Sequence, residues 1–141
     1  MRLLPTTIFV ASFFATSLFR TDRLAQAADV AATLVIPRVG VSQRQDLTGK
    51  LISPGAPVVL VRADIVDARW WVQEHAVVEP DGRFRVSARF GNNKTKPGTR
   101  FDVVVLVVPS SVELEQWKPG DVLENLPSTV PRSQEMTAVY E

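Results

Sequence analysis

Between Arg83 and Arg100 the chain carries six basic side chains, Arg83, Arg85, Arg89, Lys94, Lys96 and Arg100, and no Asp or Glu. A guanidinium can donate two parallel hydrogen bonds to one carboxylate or phosphate, so such crowding is anion-binding chemistry. Arg83, Arg85 and Arg89 alternate with Phe84, Val86, Ala88 and Phe90. A period of two puts the arginines on one face of a strand and the apolar residues on the other. Alternate strand positions lie roughly 7 Å apart. That spacing could track an acidic polysaccharide, a teichoic or lipopolysaccharide phosphate, or a lipid headgroup surface. The competing use is a solvated sheet face whose arginines pair across strands with Asp64, Glu79 or Asp102.

The adjacent pair Trp70-Trp71 is the second feature. Neighbouring strand residues point to opposite faces, so one indole is expected to fill the core while the other faces out. The outward ring could stack on a sugar, meet a protein partner or be covered by the chain itself. Val58–Val61 and 103–108 are apolar on both faces, which calls for such a cover. The nearest candidate is Val112 to Leu126, with Leu114, Trp117, Val122 and Leu126.

Other chemistry is sparse. His75 is the single histidine, so one chain cannot build a two-histidine metal site, and no Gly-x-Ser-x-Gly elbow accompanies it. Gly49-Lys50 lacks the spacing of a phosphate loop and has Leu51 where a magnesium-binding hydroxyl belongs. Asp64 and Asp67 offer two carboxylates, short of the oxygen set that calcium needs, and a solvated turn accounts for them equally well. The absence of cysteine excludes disulfides, thiolate metal sites and a cysteine nucleophile. No catalytic residue, metal site or cofactor is expected.

Charge divides along the chain. Residues 1–27 hold Arg2, Arg20 and Arg23 against Asp22, while the remainder has thirteen basic and fourteen acidic residues, a net of −1. A nearly neutral domain argues against non-specific nucleic-acid binding, which needs a strongly basic surface. Arg2 precedes an apolar run from Leu3 to Phe19, and Ala25-Gln26-Ala27 places small residues at the positions a signal peptidase reads. Residues 1–27 are therefore expected to be a signal peptide, making the protein secreted or periplasmic. An uncleaved N-terminal membrane anchor is the alternative.

The elements that must position these residues read as short strands between turns. Strands are expected over Val30 to Pro37, Asp46 to Ser53, Val58 to Asp64, Trp70 to Gln73 and Ala76 to Val78. The arginine strand follows, then Thr99 to Val108 and Met136 to Tyr140. Glu79-Pro80-Asp81-Gly82 and Gly91 to Gly98 are turn and loop, and a short helical segment fits Val112 to Trp117. About seven strands without a long helical pattern predict an all-β, immunoglobulin-like sandwich. A small ligand-binding β-barrel is the rival. The N-terminal strand and its connection fill 28–45, and the sandwich domain 46–141.

Gly49-Lys50-Leu51, Asp81-Gly82-Arg83-Phe84 and Gly98-Thr99-Arg100-Phe101-Asp102-Val103 follow one another in that order. Over roughly Asp46 to Val108 this resembles the exported bacterial immunoglobulin-like and carboxypeptidase-regulatory-like modules. Those modules repeat a G-x-V strand, a D-G-x-F hairpin and a G-x-F/Y-x-V strand. The chain departs from antibody-type domains in lacking a cysteine pair and in carrying Trp70-Trp71. The resemblance implies a non-catalytic accessory or binding module of the cell envelope and brings no catalytic residues. The expected partners are an anionic polysaccharide or membrane surface through Arg83, Arg85, Arg89, Lys94, Lys96 and Arg100, or an envelope protein through Trp70 or Trp71. No nucleic acid is expected.

Overall fold

Alternation and turn chemistry are realised directly in the computed structural model, which describes residues 30–109 and 111–141. The signal segment expected over 1–27 lies outside the described residues. In chain order the strands are β1 (Ala32–Val35), β2 (Arg44–Leu51), β3 (Ala56–Ala63), β4 (Trp70–Val72) and β5 (Val77–Val78). They continue with β6 (Arg83–Arg89), β7 (Arg100–Val108), a single helical turn α1 (Ser111–Leu114), β8 (Val122–Leu123) and β9 (Met136–Val139). The hairpin leading into β6 closes as its residues require. Gly82 N–H donates to the Glu79 carbonyl at 3.0 Å, Arg83 N–H donates to Asp81 Oδ1 at 3.0 Å, and Gly82 takes φ +90°.

Two antiparallel sheets result, one ordered β1-β2-β6-β5 and the other β8-β4-β3-β7-β9. Without β8 this is the strand order of immunoglobulin-type sandwiches, ABED on one sheet and C′CFG on the other. These are the eight strands read from the sequence together with β8, a two-residue strand paired with β4. The barrel alternative is overturned: the sheets remain separate, and side chains fill the space between them. Phe84, Val86, Phe90 and Leu47 meet Val59, Phe101, Val103 and Val105 there. Phe90 and Phe101 pack edge to face, with ring centroids 5.5 Å apart at 71°. The two motif segments also meet: Gly49 pairs with Phe84, whose ring lies where a Cβ on residue 49 would have to sit.

A second apolar cluster covers the outer face of the five-stranded sheet. Val58, Leu60, Val72, Val104, Leu106 and Val108 lie under Leu114, Trp117, Leu123, Leu126 and Val130. The expected cover segment therefore does its work, with Val122 joining instead as a strand paired to Trp71 on β4. Trp70 belongs to this outer cluster, so the expectation that one indole fills the core between the sheets is corrected. Strand parity sorts the two indoles onto opposite faces, but β3 and β7 are apolar on both, and parity alone does not say which face lies between the sheets.

Candidate functional site

β6 shows the expected two-faced pattern, with Phe84, Val86 and Ala88 buried and Arg83, Arg85 and Arg89 exposed. Its neighbour β2 pairs in a register that sets Lys50 opposite Arg83, Thr48 opposite Arg85, Asp46 opposite Ser87 and Arg44 opposite Arg89. The outer face of the four-stranded sheet thus holds five cations and, on these two strands, one acid. Arg83 pairs with Asp81 at 3.2 Å and Arg44 with Glu74 at 3.8 Å. Among the described residues, Lys50, Arg85 and Arg89 have no ion-pair partner. The expected cross-strand acids do not serve: Asp102 binds Arg62 at 2.8 Å on the other sheet, and neither Asp64 nor Glu79 forms an ion pair among the described residues.

The six basic residues singled out in the sequence do not form one surface. Lys94 and Lys96 are exposed on the loop that leaves β6 at its Arg89 end. Arg100 opens β7 in the other sheet, next to inward-facing Phe101, so it projects from the opposite outer face. Arg44 and Lys50 take its place. A signal for them existed, since β2 alternates Arg44, Asp46, Thr48 and Lys50 against Leu47, Gly49 and Leu51, but it needed the register to be read.

The tryptophans separate sharply. Trp70 is 2% exposed, with the Arg62 guanidinium 4.3 Å from its ring centroid, so it offers no contact surface. Trp71 is 52% exposed, although it pairs with Val61, whose side chain faces the space between the sheets. It stands at the lateral opening of the sandwich, in the wall of a cleft of 620 Å³. Val61, Ala63, Ala88 and Phe101 contribute the apolar lining, and Arg44, Glu74, Arg89 and Asn92 the polar one.

Gln73, 7% exposed, ties the cleft together. Its Nε2 donates to the Trp71 carbonyl at 3.0 Å, and its Oε1 accepts from Arg89 N–H at 2.7 Å. One buried amide so links the chain beside the indole to the chain beside the cation, across two sheets. The cover segment holds the far side of β4, where Val72 N–H donates to Asp121 and Gly120 N–H donates to Val72, both at 2.9 Å. Sequence reasoning missed Gln73 because a lone glutamine at a strand end has no pattern.

His75 sits 2.7 Å from the Trp117 carbonyl through Nε2, fastening the β4–β5 connection to the cover segment. Asp64 and Asp67 are exposed on the β3–β4 loop, Asp67 at φ +62°. Among the described residues, no three of His, Asp and Glu come close enough to hold a metal ion. Comparison with family models, with curated proteins and with solved structures returns no match.

Proposed function

We propose that the chain is an exported, non-catalytic module of the cell envelope that binds an anionic polymer, an acidic or phosphate-bearing polysaccharide, across its four-stranded sheet. The observation that carries this reading is the like-charge opposition of Arg44 with Arg89 and of Lys50 with Arg83. Like charges directly opposite one another weaken a sheet, where an opposite-charge pair would add roughly 0.2–1 kcal/mol. Glu74 and Asp81 relieve one member of each pair, and Arg89, Lys50 and Arg85 are left for an external anion. The apolar run and Ala25-Gln26-Ala27 at the N-terminus support export. The G-x-V and D-G-x-F likeness to exported modules supports an accessory role.

The test is retention on immobilised polygalacturonate over a salt series, with wild type beside an Arg83/Arg85/Arg89→Ser variant. Wild type is expected to bind at low salt and to elute as salt rises, because exposed charges are screened over about 8 Å at physiological ionic strength. The variant is expected to flow through. Equal retention of the two proteins refutes the reading, as does wild-type binding to anionic vesicles without binding to the polysaccharide.

A further inference from the structure

The cleft beside Trp71 adjoins the cationic face, because Arg44 and Arg89 belong to both. We propose that it is a saccharide subsite seating one ring of an acidic glycan, with Trp71 as the stacking platform and Arg89 as the partner of the sugar's carboxylate or phosphate. The inference rests on the anionic-polymer reading and names its substrate class.

Three observations carry it. The first is the mixed lining. A pyranose ring presents C–H groups on its faces and hydroxyls around its rim. An indole beside Val61 and Ala63, edged by Glu74, Asn92 and Arg89, offers the matching surfaces. A cleft of 620 Å³ falls within the ordinary size range of small-ligand sites. The second is the contrast between the two indoles. The fold covers Trp70 almost completely with its own chain and leaves Trp71, the next residue, half in water. The third is preorganisation. Gln73 fixes the backbones of Trp71 and Arg89 relative to each other through its amide alone, so neither the indole face nor the guanidinium is consumed in building the site. Arg44 is partly neutralised by Glu74 at 3.8 Å, which leaves Arg89 as the stronger anion partner. A polymer lying along the sheet would meet the cleft at the Arg44–Arg89 end.

The experiment is a binding titration by isothermal calorimetry, with tryptophan emission recorded on wild type, using a galacturonate hexamer, a neutral hexasaccharide and inorganic polyphosphate. The proteins are wild type, Trp71→Ala and Arg89→Gln, with circular dichroism and urea midpoints to establish that each variant folds. The galacturonate hexamer should change wild-type emission and shield it from acrylamide. Trp71→Ala should bind that hexamer roughly tenfold more weakly, the loss expected when an apolar platform of this size is removed. It should bind polyphosphate, a polyanion without rings, as wild type does, and Arg89→Gln should weaken both. If Trp71→Ala binds the hexamer like wild type, the subsite is refuted and the polymer reading stands. If wild type binds neither polyanion, the polymer reading itself fails. Neutral hexasaccharide binding as tight as galacturonate refutes the acidic assignment.

Discussion

Replacing Phe101 with alanine tests whether the core between the sheets and the cleft are built as described. Phe101 is 5% exposed, meets Phe90 edge to face and also lines the cleft. Truncation to alanine keeps the Cβ and returns on the order of 120–160 Å² of apolar surface to water, which at about 25 cal/mol per Å² is about 3–4 kcal/mol. Because the ring borders an open cleft, solvent can enter the vacated space, and the cavity penalty that enclosed sites suffer is reduced. The expected loss is therefore about 3–4 kcal/mol, the lower part of the range for emptying an aromatic site. Phe90, at 0% exposure and away from the cleft lining, should cost more when truncated, about 4–5 kcal/mol. Urea denaturation read by circular dichroism measures both, and an unchanged slope confines the effect to stability. A Phe101→Ala loss under about 1 kcal/mol would refute the packing, since surface substitutions fall within that size. A Phe90→Ala variant more stable than Phe101→Ala would refute the cleft as the reason for the difference.

Three further outcomes are expected. Gly49→Ala should destabilise by about 1–3 kcal/mol, the usual cost of overpacking, since its Cβ would meet the Phe84 ring and the Thr33 carbonyl; a midpoint equal to wild type contradicts that close approach. Trp70→Ala should cost about 3–5 kcal/mol and Trp71→Ala less than about 1 kcal/mol in the same assay, and the reverse order would show the indoles misassigned. Intact-mass measurement on protein isolated from the cells that make it should give a chain that starts near Ala28, and a mature form retaining Met1 contradicts export by cleavage.

Much of the fold was legible because its strands announce themselves locally. The alternation from Arg83 to Phe90 and the Pro80-Asp81-Gly82 turn are short-range signals, and they survive folding unchanged. The two-sided hydrophobicity of β3 and β7 likewise called for a cover, and Leu114, Trp117 and Leu126 supply it. What was not legible depends on register and on which sheet a strand joins. Arg100 is close to Arg89 in sequence, yet the 90–99 loop carries the chain from one sheet to the other, and the two side chains leave opposite outer faces. Arg44 and Lys50 come from a strand nearly forty residues earlier and reach the face only through pairing with β6. The roles of Trp70 and Trp71 could not be assigned while the side of the sheet facing the core was unknown. Gln73 became visible only once its two partners, from different sheets, stood in place.

On the proposed reading, anion binding belongs to a face of the folded sheet and not to the basic run in the sequence. Arg85 and Arg89 lie on that face, whereas Arg100, within the same run, lies on the other side of the sandwich. The most direct measurement is the affinity for polygalacturonate at low salt of wild type, Arg85/Arg89→Ser and Arg100→Ser. The double variant should lose at least roughly tenfold, since each charge-assisted contact is worth about 1.5–3 kcal/mol. Arg100→Ser should stay close to wild type. A double variant that binds like wild type, or an Arg100→Ser variant that loses as much as the double, contradicts the claim.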